Sequence, residues 1–133
     1  MSMIKYWNKE LSNIGDCTIG DNSVIHSHVW IGDRVKIGER CKIQAFTFIP
    51  TGVRIGDDVF LGPRVTFTND KYPPSNEWLT TTVGNHVSIG AGAVILPGIT
   101  LGDGCKIGAG AVVTKDIPPG ETWVGNPARK HGD

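Results

Sequence analysis

Apolar residues return every six positions along most of this chain. Nine of them, Ile19, Ile25, Ile31, Ile37, Ile43, Ile49, Ile55, Leu61 and Phe67, form one unbroken series. At 39% hydrophobic content, nine successive hits in one chosen phase arise by chance roughly twice in ten thousand. A second series runs two residues ahead of the first: Cys17, Ser23, Val29, Val35, Cys41, Thr47, Val53, Val59 and Val65. Side chains alternate faces along a strand, so two inward positions two apart predict a short strand in every hexad. The residue after the anchor is usually Gly (Gly20, Gly32, Gly38, Gly56, Gly62), often followed by Asp (Asp21, Asp33, Asp57). Such corner residues tolerate unusual backbone angles and bond their own backbone. One strand and one corner per hexad fits neither a helix nor a flat hairpin. The pattern predicts parallel strands wound as a coil, three hexads to an 18-residue turn, around an aliphatic interior.

The rhythm breaks once. From Phe67 to the next anchor, Val83, is 16 residues, no multiple of six. It then resumes in a new phase with Val83, Ile89, Ile95, Leu101, Ile107 and Val113. The single domain 1–133 therefore divides into a lead-in cap 1–13, first coils 14–67, a loop 68–82, last coils 83–118 and a tail 119–133. A loop this long in a compact fold is usually functional or disordered. With Tyr72, Pro73, Pro74 and Trp78 in it, this one is expected to be packed and shaped, and it is the first place to look for a site. The last coils carry Gly92, Gly98, Gly104 and Gly110 at outward positions, which suits either an extended ligand lying on bare backbone or plain tight packing.

Outward positions 18 apart should stack, putting Trp30 beneath Phe48, and Val24 and Lys42 beneath Phe60. Large aromatics on a flat outer face call for self-association, and a three-sided prism suits a cyclic trimer. Lys+Arg and Asp+Glu are equal at 13, so no basic field invites nucleic acid. No apolar run approaches the length of a membrane span, and the start lacks a signal peptide's apolar stretch. No membrane partner and a cytoplasmic location are the expectations. Cys17, Cys41 and Cys105 all fall at small inward positions and are expected to be buried core thiols.

The hexads, the interrupting loop and the ending Val112-Val113-Thr114-Lys115-Asp116-Ile117-Pro118-Pro119-Gly120 through Gly125-Asn126-Pro127-Ala128-Arg129 resemble the hexapeptide-repeat acyltransferases. That resemblance implies an all-β fold, a left-handed parallel β-helix of about five coils with one protruding loop. It also implies a homotrimer that takes acyl groups from coenzyme A at sites between adjacent subunits. Within the family, Thr66-Phe67-Thr68-Asn69-Asp70-Lys71-Tyr72-Pro73 is similar to the loop of nucleotide-amino-sugar 3-N-acetyltransferases, which serve surface polysaccharide synthesis. Some members carry Glu where this chain has Thr51.

The resemblance implies site residues. Asn69 and Asp70 would be catalytic, with Tyr72, Thr51 and Arg64 on the substrate side. Ala91 and Ala109, 18 apart, would offer backbone to the pantetheine of acetyl-CoA, and Thr114, Lys115 and Arg129 would meet its nucleotide end. Residue chemistry agrees in one respect. A hydroxyl acceptor needs a base, which O-acetyltransferases of the family supply as a loop His, and residues 68–82 contain none. An amine of pKa ~8 is already partly neutral at pH 7 and needs orientation more than activation. Asn-Asp is also a common turn pair, so the two could simply stabilise the loop. His26, His28 and His86 project outward by register. Their spacing does not match the three-His zinc sites of related β-helices, so no metal is expected. His86 could act as base in an O-acetyltransferase. The chain thus reads as an acetyl-CoA-dependent N-acetyltransferase for a nucleotide-linked amino sugar; the alternatives are an O-acetyltransferase on a sugar or other small alcohol and a non-catalytic β-helix assembly protein.

Overall fold

The computed structural model describes residues 3–132. Each hexad folds as expected, into a two-residue strand followed by a corner, and successive strands turn onto three faces. The first face stacks Lys5–Tyr6, Val24–Ile25, Lys42–Ile43, Phe60–Leu61, Ser88–Ile89, Lys106–Ile107 and Thr122–Val124 in parallel, with Arg129–His131 added antiparallel at the top. The second stacks Asn13–Ile14, Trp30–Ile31, Phe48–Ile49, Thr66–Phe67, Val94–Ile95 and Val112–Val113. The third stacks Thr18–Ile19, Lys36–Ile37, Arg54–Ile55, Thr82–Val83 and Thr100–Leu101. Among the described residues the faces therefore hold seven, six and five parallel rungs. This slightly exceeds the expected five coils, because Lys5–Tyr6 and Thr122–Val124 extend the ladder beyond the run of hexads.

Both inward series are buried, from Ile25 and Val29 up to Val113 and Ile117. Where an inward position is polar, its hydroxyl is used. Ser23 Oγ donates to the Gly38 carbonyl (3.0 Å) and accepts the Cys41 amide (3.1 Å). Thr47 Oγ1 donates to the Gln44 carbonyl at 2.8 Å. Such pairing is what makes a buried hydroxyl tolerable. The expected outward stacks are present: Trp30 pairs with Phe48, and Val24, Lys42 and Phe60 follow one another on the first face.

Corner aspartates behave differently from the sequence expectation. They bond the backbone of the coil below, not their own. Asp57 Oδ1 accepts the amide of Glu39, Asn85 Oδ1 that of Asp57, and Asp103 Oδ1 that of Asn85, each at 2.8 Å. The glycines before them permit the approach: a Cβ on Gly56 would collide with Asn85 Oδ1. Each corner also holds a column of residues at positive φ. His28, Phe46, Arg64, Gly92 and Gly110 line the corner between the first and second faces, hereafter the first corner. Asn22, Arg40, Asp58, His86 and Gly104 line the corner between the third and first faces. There the Arg40 guanidinium clasps Asp58 at 2.8 and 3.0 Å, holding its carboxyl below the ordinary carboxylate range.

Cys41 and Cys105 are buried as expected, but Cys17 is only half-buried. It lies at the open lower end of the coil, where Ile4, Tyr6, Ile14 and Ile19 surround a cavity of about 230 Å³ with it. Trp123, on the last parallel rung of the first face, is buried. No described helix is long and apolar enough to cross a membrane.

Candidate active site

Residues between Phe67 and Thr82 leave the second corner, which joins the second face to the third. The excursion is held by its own bonds. Leu79 N–H donates to the Asn69 carbonyl (2.8 Å), and Asp70 and Trp78 form an antiparallel bridge. Ser75 donates twice to Asp70, from N–H to Oδ2 (2.7 Å) and from Oγ to Oδ1 (2.6 Å). The Trp78 indole N–H donates to the Ser75 carbonyl at 3.1 Å. Leu79 packs where Gly98 has no side chain; a Cβ there would stand 3.1 Å from Leu79 Cδ1.

Under the loop lies a cavity of about 320 Å³ lined by Thr68, Asp70, Lys71, Pro73, Leu96, Pro97 and Thr114. Asp70 and Thr114, distant in sequence, thus face one space. Tyr72 does not join them. It is 76% exposed and borders a separate recess of about 160 Å³ with Lys71, Ser75, Glu77 and Leu79. The Lys71 ammonium stands 5.6 Å above its ring. Thr51 occupies the second corner one coil below the loop, half-buried.

The remaining expected site residues sit elsewhere. Arg64, Ala91 and Ala109 belong to the first corner, on the other side of the second face from the loop. Arg64 lies over the Phe46 ring at 5.7 Å, and Phe46 stacks on His28 with centroids 4.9 Å apart. Above Arg64 the column changes character: Gly92 and Gly110, φ +71° and +70°, have open space where a side chain would be. The exposed edge of Ala91–Gly92 and Ala109–Gly110 therefore carries nothing larger than a methyl group. Lys115, in the second corner, has its ammonium 5.5 Å from the Trp123 ring. Arg129 lies on the tail strand opposite Val124, exposed.

Of the two expected catalytic residues, Asp70 lines the cavity under the loop, whereas Asn69 is not in its lining and is fixed in the loop through its carbonyl; Ser75, Leu96 and Pro97 were not anticipated from the sequence. Of the histidines, His26 stacks on Trp7 with centroids 5.9 Å apart, and His86 Nδ1 lies 3.9 Å from Asp58 Oδ2. Among the described residues no three His, Cys, Asp or Glu gather as a metal site.

Comparison with known proteins adds to this geometry. Residues 34–69 and 80–115 match the bacterial transferase hexapeptide model (six repeats), and residues 14–49 match the hexapeptide repeat of succinyl-transferase. The gap in the first match falls on the loop. The chain is 36% identical over 115 residues to UDP-3-O-acylglucosamine N-acyltransferase of Caulobacter sp. (strain K31), spanning 86% of this chain and 26% of that protein. It is 36% identical over 124 residues to galactoside O-acetyltransferase of Escherichia coli (strain K12), spanning 84% and 61%. Its fold matches a variant of GDP-perosamine N-acetyl transferase from Caulobacter crescentus, in complex with CoA and GDP-perosamine, with a TM-score of 0.85. That match has 24% identity and covers 99% of this chain and 58% of that one. The chain spans less than two thirds of each of these proteins.

Proposed function

Since the chain belongs to the bacterial transferase hexapeptide family, we propose that it is an acetyl-CoA-dependent N-acetyltransferase acting, as a homotrimer, on a nucleotide-linked amino sugar of the kind used in surface polysaccharides. The observation that carries this reading is a loop cavity faced by a carboxylate, Asp70, and served by a loop without histidine. Bound acetyl-CoA supplies an activated acyl carbon and a thiol leaving group. This chain's part is to hold and aim. Asn69 and Asp70 accept N–H bonds from the acceptor amine and direct its lone pair at the thioester carbonyl. The new C–N bond replaces C–S, and the proton shed by the nitrogen leaves with the thiol.

The edge at Ala91–Gly92 and Ala109–Gly110 fits an extended pantetheine, because nothing larger than a methyl group projects along it. Thr114, Lys115 and Arg129 are the groups for the carrier's phosphates and base, Arg by forked contacts and Lys as a point charge. In one copy this edge and the loop occupy different corners. A second copy placing its first corner against the loop would unite them, and the exposed Trp30 and Phe48, stacked 6.1 Å apart, are suitable contact surface. Tyr72, Thr51 and Arg64 remain substrate-side residues in this reading, with Arg64 delivered by the neighbouring copy.

The likeness to galactoside O-acetyltransferase favours a second reading, acetyl transfer to a hydroxyl. The loop offers no histidine for it, and His86 lies at the corner between the third and first faces, outside the cavity's lining. Matched amino and hydroxy nucleotide sugars, each incubated with protein and acetyl-CoA, distinguish the two through the appearance of free thiol. Release with amines alone is expected. Release with hydroxy sugars alone would overturn the amine reading, and no release together with no heat of coenzyme A binding would leave a non-catalytic protein.

A further inference from the structure

Every polar atom of Ser75 is engaged inside the loop. Its N–H and Oγ–H donate to the two oxygens of Asp70, at 2.7 and 2.6 Å. Its Oγ accepts the Glu77 amide at 3.2 Å, and its carbonyl accepts the Trp78 indole at 3.1 Å. Glu77 N–H, Ser75 Oγ–H and Asp70 Oδ1 thereby form a chain whose direction is fixed, since the amide can only donate and the hydroxyl's own proton must point at the carboxylate. A carboxylate gripped at both oxygens cannot rotate about its last side-chain bond. Asp70 nevertheless lines the cavity beneath the loop.

Resting on the reading of that cavity as an amine site, we propose that Ser75 is a positioning residue. It locks the Asp70 carboxylate in the one orientation that faces the acceptor, and so makes the site selective for an amine. An ionised carboxylate has about four lone-pair directions. Ser75 takes two, one on each oxygen, and the two left open point away from it. An acceptor arriving as an ammonium has three N–H groups, enough to fill both and still reach Asn69; a hydroxyl has one and leaves the other direction unmet inside the cavity. An unmet acceptor is costly where water is excluded. The lock therefore serves orientation and discrimination together, acting only through Asp70.

The test uses full-length protein, acetyl-CoA and the best amino sugar found in the thiol assay. Ser75→Ala is expected to lower kcat/KM for the amine about 10- to 100-fold, the range set by losing one hydrogen bond to a charged group. KM for acetyl-CoA should stay within about threefold, and Ser75→Thr, which keeps the hydroxyl, should restore most of the rate. In an Asp70→Ala background, adding Ser75→Ala should cost no more than about threefold further, because the second change then has nothing to act through. A multiplicative loss in that double variant marks a general loop-folding role and overturns the proposal, as does full activity of Ser75→Ala. Should Ser75→Ala open the loop to proteolysis, Asp70→Asn keeps the shape and removes the charge, and its indifference would also count as refutation. Wild-type protein inert toward every amine would sink the functional reading and this inference together. Active wild type with an indifferent Ser75→Ala sinks the inference alone.

Discussion

Asn85 Oδ1 accepts the backbone N–H of Asp57 at 2.8 Å, although the two are 28 residues apart, whereas the same bond joins Glu39 to Asp57 and Asn85 to Asp103 over 18. The ladder of corner bonds thus runs past the loop without a missing rung. The excursion is an addition to a finished coil, and the coil neither bends nor pauses to accommodate it.

Asn85 also separates two carboxylates in that column, Asp57 below and Asp103 above. Asn85→Asp keeps the acceptor but stacks three like charges. It is expected to destabilise the fold by about 0.2–1 kcal/mol at neutral pH, and less in high salt, which screens the repulsion. Thermal melts of both proteins at pH 7 in low and high salt measure this. Equal melting temperatures at pH 7 would contradict it.

Removing residues 70–79 shortens the Phe67-to-Val83 interval from 16 to six and restores an unbroken repeat. The shortened chain should fold to the same β-rich state, with a melting temperature within a few degrees of wild type, and release no thiol. Circular dichroism and the thiol assay together check both halves of this outcome.

Burial pushes the Cys105 thiol up to about 11 and raises Cys41 as well. For Cys17, burial raises the thiol first, then Asp16 and Asp33, but it is only half-buried at the open end. At pH 8 a thiol reagent should label Cys17 first, with Cys41 and Cys105 following only on unfolding, as mass spectrometry of timed samples will show. A thiol whose pKa is higher folded than unfolded contributes stability that is whole below the unfolded value and lost as pH rises through the folded one. Stability should therefore fall between about pH 9 and 11, and Cys105→Ala should flatten that fall.

Trp30→Glu with Phe48→Glu puts charge on the stacked pair of the second face. Equilibrium sedimentation should report a trimer for wild type and a monomer for the double variant, with thiol release lost because the two corners no longer meet. A double variant that remains trimeric would move the interface elsewhere.

Lys115→Ala and Arg129→Ala are each expected to raise KM for acetyl-CoA by about tenfold while saturated turnover changes little, as befits contacts made equally in ground and transition states. A fall in kcat at unchanged KM would argue against a carrier-binding role for that residue.

The hexads told most of the fold, because an inward pair per six residues admits few other structures, and Ile25 through Val113 are buried where the pattern required. It could not tell where Asp57 sends its carboxylate, since spacing names a corner and not a partner; the bond crosses to another coil. Nor could it separate Arg64 from the loop. Both fall after a strand in adjacent hexads, yet successive hexads point to different corners. Ser75 was hidden for a different reason: its partner lies across a turn whose path no periodicity describes. Cys17 obeyed the inward rule and still stayed half-exposed, because among the described residues no further rung lies beneath its own on the third face.

The first corner carries His28, Phe46 and Arg64 in its lower coils and only Gly92 and Gly110 higher up. A rod built of interchangeable rungs thereby acquires a polarity its backbone lacks. Lengthening it by one spliced coil near the bottom should leave the chemistry where it is and merely raise it on a taller pedestal. The same splice among the glycines would shift one half of the machinery against the other, so the position of an insertion, more than its size, should decide whether the molecule still works.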